Sequence, residues 1–283
     1  MDVFFQMKFA YCGKPDGLLS KRKKSPKTLN DDEILRQFDL LERITLPSLR
    51  DQSDPQFRLT LLCSARMPQE GREHLDWLLN HYLPGRSEAI FARPMIPGRV
   101  FRRQMQGLGR GDEPVIQTQI CEGEGFGRNF VRRLREHGIE SWAKLPCDGG
   151  AKAAKGTFMS FRRGLRLGMR GKAFVGLEPV TSPDMPFALS LVARPSSRYN
   201  PMLINADGLG HRFPHVGVMT QTLHCLRARN LGQTDKMLPP ERRILSQAGA
   251  EFRVLRGGHR IECVEDQVLA KPVDVRLPKV MVG

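Results

Sequence analysis

Acid is the scarce charge in this chain: 30 Asp and Glu stand against 45 Lys and Arg, for a net charge of +15 over 283 residues. Aromatic residues are also sparse at 7%, with two Trp and three Tyr, and they do not interleave with basic residues as RNA-binding surfaces require. No apolar run approaches the roughly 18 residues that a membrane-spanning helix needs. The opening MDVFFQMKFAY interrupts its apolar run at Gln6 and Lys8 and carries no basic leader, so the chain reads as cytoplasmic. The six cysteines, at 12, 63, 121, 147, 225 and 263, form no CxxC or Cys/His ligand spacing, and neither a disulfide framework nor a zinc site is expected. A G-x-S-x-G elbow, a P-loop and an HExxH helix are all missing, which removes the motif basis for hydrolase or NTPase chemistry.

What is present is a positive field that attracts phosphates, nucleic acid or an anionic membrane face. Its densest run is KRKKSPK at 21–27. That run suits phosphate contacts or a lipid surface, and equally a solvated loop.

Apolar spacing predicts an amphipathic helix from Asp32, carried by Ile34, Leu35, Phe38, Leu41, Ile44 and Leu49. Asn30 or Asp31 is placed to cap it, and Pro47 to bend or end it near Thr45. The turn-rich DQSDPQ at 51–56 leads into a buried strand, FRLTLLCSA. Pro68 opens the next helix, with Leu75, Leu78, Leu79 and Tyr82 on its apolar side and Pro84-Gly85 as its stop. A short strand over 88–92, a helix over 99–108 and the strand VIQTQIC follow, and then the helix FGRNFVRRLREHG, closed by Gly138. Strands alternating with helices imply an α/β fold, a mostly parallel sheet flanked by helices. Beyond residue 140 a small-residue loop at 144–156 precedes a stretch that alternates like a hairpin or meander, and Pro239-Pro240 introduces a last helix near 241–248.

The rare acid is concentrated at one informative place. Glu122 and Glu124 sit among Gly123, Gly125 and Gly127, directly after the strand VIQTQIC. In an open α/β sheet, ligands bind beyond the carboxyl ends of strands. A dinucleotide fingerprint fails because Arg128 stands where a small residue is needed. Two carboxylates beside a bare diphosphate would repel it unless a divalent cation lay between, and the E-x-E spacing offers oxygen ligands for Mg²⁺ or Mn²⁺. The same glutamates also suit the positive end of the following helix, worth up to about 1 kcal/mol. Both readings stand on spacing alone.

Three stretches carry a resemblance: LPSL at 46–49 with QSDPQF at 52–57 and LTLL at 59–62, QTQICEGEGFGRNFVRRLRE after the fourth strand, and HCLRARNLGQTDKM at 224–237. Together they resemble the rhamnosyltransferase family, which implies a GT-A-like nucleotide-diphospho-sugar transferase fold over residues 1–240, with 241–283 as a C-terminal extension packed on it. The resemblance implies a metal-dependent transfer of a sugar from a nucleotide-sugar donor to a saccharide or lipid-linked acceptor. It places Glu122 and Glu124 on the metal, with Asp207 or His211 as a further ligand, and Lys8, Arg128, Arg227 and Asn230 near the donor. The chain departs from the family where an aspartate run becomes Cys121-Glu122-Gly123-Glu124 and an arginine becomes Gln119. A catalytically silent relative and a basic nucleic-acid-binding protein are the alternatives, and peripheral contact with an anionic membrane is compatible with any of them.

Overall fold

The apolar runs and turns read from the sequence organise into two sheets. The computed structural model describes residues 1–13, 30–108, 113–145, 156–181, 187–204, 209, 213–232, 235, 237 and 240–255. The first half alternates: β1 (Val3–Lys8), α1 (Asp31–Leu40), α2 (Leu46–Arg50), β2 (Phe57–Ser64), α3 (Gln69–Tyr82), β3 (Ser87–Ala92), α4 (Pro97–Gln106) and β4 (Val115–Ile120). The second half holds β5 (Glu124–Phe126), α5 (Phe130–Ala143), β6 (Thr157–Phe161), β7 (Arg163–Arg170), β8 (Ala173–Thr181), β9 (Phe187–Ala193), β10 (His215–Val218), β11 (Cys225–Asn230) and α6 (Arg242–Glu251).

Seven strands form the large sheet in the order β10-β6-β9-β4-β1-β2-β3, and only β9 runs against its neighbours. This is the mostly parallel, helix-flanked α/β architecture the alternation predicts, in the GT-A-like arrangement. β1 is an inner strand between β4 and β2 and is buried on both faces. Val3, Phe5 and Met7 enter the main core with residues of α1, α3 and α5, whereas Phe4 packs against Met105 of α4 on the other side. Gln6 shares that second face, where the Asn200 amide donates to Gln6 Oε1 at 2.6 Å and Gln117 Oε1 at 2.9 Å.

The smaller sheet has the order β5-β11-β7-β8. The meander expected after residue 156 divides: β6 joins the large sheet, and β7 and β8 form a hairpin in the small one. Alternation cannot reveal this, because both destinations bury one face of a strand. A second core of Leu40, Ile44, Leu165, Leu167, Leu226 and Phe252 joins the small sheet to α1 and to the C-terminal segment, so that residues 242–255 pack here through Ala248 and Phe252. No helix among the described residues is long and apolar enough to cross a membrane. The basic run 21–27 lies outside the described residues.

Of the two outcomes expected at Pro47, a bend or an end, the helix does not end. The helix widens into a π-turn over Leu41–Thr45, in which the Leu46 N–H reaches back to the Leu41 carbonyl, and α2 continues through Pro47 in its first turn. A proline has no N–H to give a carbonyl four residues back, and a local bulge accommodates this without breaking the helix. Gly138 does not close α5, which runs on to Ala143. A Cβ there would lie 2.5 Å from Ile116 Cδ1, so this glycine permits the close approach of α5 to β4.

Gln52, in the turn before β2, fastens three elements. Its buried amide donates to the Ser48 carbonyl at 2.8 Å and the Gly127 carbonyl at 2.9 Å, and it accepts from the Val131 N–H at 3.0 Å, one of the otherwise unpaired donors at the start of α5. Replacing Gln52 by Ala strands all three groups and is expected to cost about 2–4 kcal/mol in denaturant unfolding.

His224 lies in the seam where β11, α5 and α6 meet. Burial first, then the charges of Arg133 and His137, push its pKa down to about 4, with the Glu251 carboxylate 3.8 Å from Nδ1. An imidazole that stays neutral in the fold but protonates in the unfolded chain costs stability as pH falls from about 6.5 towards 4, by at most about 3 kcal/mol. Burial of Glu251 raises its carboxyl and works in the opposite sense, removing stability as pH rises. Unfolding followed between pH 7 and pH 4.5 is expected to lose stability towards acid, and His224→Gln to flatten that loss.

Candidate donor site

The site is built at the carboxyl edge of the parallel strands. Met7 of β1 lies opposite Ile120 of β4, so Lys8 and Cys121 leave the sheet side by side. From there the chain turns through Glu122 and Gly123 into β5. Gly123 sits at φ +80°, and a Cβ would meet Leu40 and Ala228 at 3.3 Å, so the turn requires glycine. Its N–H donates to Thr45 Oγ1 at 3.0 Å, and its carbonyl accepts from the Ala228 N–H at 2.8 Å. Thr45 ends the π-turn just before α2, which links the irregular helix to the acidic turn. A second constrained point lies on the neighbouring exit: Ala10, after β1, has φ +45°, and its N–H is held by Gln37 Oε1 at 2.8 Å. A non-glycine residue in this region costs about 1 kcal/mol or more, and such positions concentrate at functional sites.

The two glutamates have different fates. Glu124 is buried, and the register of β5 against β11 places Arg227 directly opposite it. Glu124 Oε1 accepts from Arg227 Nε at 2.9 Å and also from Nη2, while Oε2 accepts from the Cys121 N–H at 3.0 Å. Burial works against the charge of Arg227, but Glu124 outweighs it and holds the guanidinium above its ordinary range. The same guanidinium lies over the Phe187 ring, 4.9 Å from its centroid. Arg227 therefore ties the small sheet to β9 of the large one. Phe187 and Thr45 carry no sequence signal for this role, since each is recognisable only through a partner distant in the chain.

Glu122 stays partly accessible, with Arg36 Nη2 3.9 Å from its Oε1. Burial raises its carboxyl above the ordinary range, Glu33 and Glu124 add to the rise, and its own backbone and Arg36 oppose it. Cys121 has open surface, yet the surrounding protein desolvates its thiol and pushes it up to about 12. Glu124 and Glu122 contribute to that rise, and Lys8 and Arg227 counter it. Lys8, Arg227, Glu122 and Glu124 are the charged groups nearest this thiol.

Arg128 and Asn230 are not gathered here. The Arg128 side chain is exposed, and its backbone joins Ser53 to Glu251. Asn230 is exposed at the end of β11, on the opposite face of that strand from Arg227. Asp207 and His211 lie outside the described residues.

Residues 16–235 match the family described as Putative rhamnosyl transferase, a span that contains both Glu124 and Arg227. The chain belongs to the Putative rhamnosyl transferase family. No curated protein matches it. The match stops short of α6, which packs against the second core.

The family resemblance implies a divalent cation, and the donor set can be tested for fit. Both oxygens of Glu124 are engaged, Glu122 is left as a single carboxylate with Arg36 beside it, and among the described residues no group of three or more His, Cys, Asp or Glu side chains converges on a point suited to an ion. Glu122 and Glu124 by themselves do not assemble a cation site, and Asp207 and His211, the other expected ligands, lie outside the described residues. Glu124 in particular, expected on the metal, is instead half of an internal ion pair.

Removing Arg227 leaves a buried carboxylate without its counter-charge. Arg227→Ala is expected to destabilise the fold by about 2–4 kcal/mol in denaturant melts, somewhat under the about 3–5 kcal/mol of a fully enclosed pair, because the arginine side chain is 34% exposed. Adding Glu124→Gln to that variant is expected to recover most of the loss.

Proposed function

We propose that this member of the family transfers a sugar from a nucleotide-activated donor to an acceptor hydroxyl, at the sheet edge formed by Lys8 and the Cys121–Gly123 turn. The observation that carries the reading is the turn itself: it leaves the carboxyl end of β4 beside β1, is fixed by Thr45 and Ala228, and is enclosed by the second sheet. In this reading the bond between the anomeric carbon and the diphosphate oxygen breaks, and a bond from the acceptor oxygen to that carbon forms. The acceptor's hydroxyl proton leaves to a base, and the nucleoside diphosphate departs with the bonding pair. What such a site contributes is placement of the two substrates and charge complementary to the leaving group. The excess positive charge of the chain suits a phosphate-bearing donor, and an acceptor that is a saccharide or a lipid-linked saccharide presented at an anionic membrane face.

A second reading has one specific observation in its favour. Because the Glu124 carboxylate is consumed by Arg227, the protein also suits the role of a catalytically silent relative that keeps the scaffold as a binding surface. Incubation with UDP-, GDP- and dTDP-activated sugars and a panel of saccharide acceptors separates the two. We expect one donor to be consumed with release of its nucleoside diphosphate, and Lys8→Ala to slow that release by about tenfold or more at unchanged melting temperature. Consumption of none of the donors would contradict transfer and favour the silent relative.

A further inference from the structure

The cations of the fold are unevenly paired. Arg36, Arg43, Arg135 and Arg166 each meet a carboxylate, whereas Arg66, Arg93, Arg99 and Arg103 are exposed and have no ion-pair partner among the described residues. The topology gathers these four at one corner. β2 and β3 run parallel, and the Ala65 N–H donates to the Ala92 carbonyl at 2.9 Å just past both strand ends, so Arg66 and Arg93 follow the carboxyl edge on neighbouring exits. Arg99 lies in the first turn of α4, and Arg103 comes one turn later on the same exposed face. The opposite face of α4 is buried through Phe101 and Met105, which pack with Leu62 and Phe4. The helix is thereby held with these arginines towards solvent.

We propose that this corner, the loop from Arg93 to Arg99 together with the outer face of α4, docks on an anionic lipid bilayer. The loop carries its own apolar tip: Pro94 is exposed, and Met95 and Ile96 are half-buried, between the two arginines. Tyr11 fixes that tip. Its hydroxyl proton is shared between the Arg93 and Met95 carbonyls, each at 3.1 Å, and its oxygen accepts from the Met95 N–H at 2.9 Å. α4 has no acid in its first turn, so the positive end of the helix adds to the charge of the loop. Arginines around a short apolar segment suit the boundary between lipid headgroups and acyl chains, where the guanidinium groups meet phosphates and the apolar groups leave water. A single-stranded RNA is held by stacking on aromatic rings, and the exposed face of α4 offers none. The contact rests on charge and placement alone and stands whether or not the chain transfers a sugar.

The experiment is flotation of the full chain with vesicles of phosphatidylcholine alone, and of phosphatidylcholine with about 30% phosphatidylglycerol, at low salt and at about 0.5 M NaCl. Binding is expected to the anionic vesicles only, and to fall by at least about tenfold at the higher salt. Arg93→Glu/Arg99→Glu/Arg103→Glu is expected to weaken it by at least about a hundredfold, given roughly fivefold for each basic residue at such a surface, at unchanged melting temperature. A variant with the same change of charge at exposed positions elsewhere, Arg132→Glu/Lys144→Glu/Arg243→Glu, is expected to weaken it by less than about tenfold. Equal losses in the two variants would mean that net charge and not this face binds the bilayer, and would overturn the inference. Absence of binding to the anionic vesicles at low salt would overturn it as well, including the case in which the chain binds a single-stranded RNA oligonucleotide instead.

Discussion

The pair between Glu124 and Arg227 is the constraint on which the rest of the site depends. It joins strands whose residues are 103 positions apart, at the point where the small sheet leaves the large one. A carboxylate buried at that depth is tolerable only with a counter-charge and with its remaining lone pairs occupied, and the Cys121 N–H supplies the latter. The backbone of the acidic turn is consequently fixed from three directions, by Arg227 through Glu124, by Thr45 and by Ala228. Removing any one of them would leave a polar group buried or a strained glycine turn without support.

That fixation extends outward through the fold. Thr45 belongs to a π-turn that exists because Pro47 has no N–H, so a defect in one helix places a hydroxyl against the turn. Arg227 lies on Phe187 at the start of β9, the antiparallel strand of the large sheet, and thereby sets the small sheet against the large one. Gln52 holds α2 against the start of α5 just beyond β5. Each contact is short in range, and in sequence they connect segments that begin near residue 45 and end near residue 230. The acidic turn beside Lys8 is thus held by packing decided well outside it, which is the usual way a scaffold holds a site within the tolerance that chemistry needs.

Much of this architecture is legible in the sequence. The 3.6-residue stripe through Ile34, Phe38 and Leu41, the Pro68 start, the Pro84-Gly85 stop and the apolar runs of β1, β2 and β4 all announce a parallel α/β sheet, and the position of the acidic turn after β4 follows from that order. The parts that are not legible are those decided by long-range pairing. E-x-E spacing cannot show that Glu124 faces an arginine across a strand pair, because β5 is three residues long and its partner is set by register. Gly138 looks like a helix stop until Ile116 is seen beneath it. The proline at 47 signals an irregularity without telling whether the helix ends or bulges, since both remove the same hydrogen bond. Family likeness brings Arg227 to the donor side, and only the register reveals what it pairs with.

The most direct test is a crystal structure of the protein grown with Mn²⁺ and whichever of UDP, GDP or dTDP binds, with data collected at the manganese absorption edge. The account predicts that Arg227 remains bonded to Glu124 and that no manganese is coordinated by Glu124. A manganese peak coordinated by Glu124, with Arg227 swung away from it, would contradict the account.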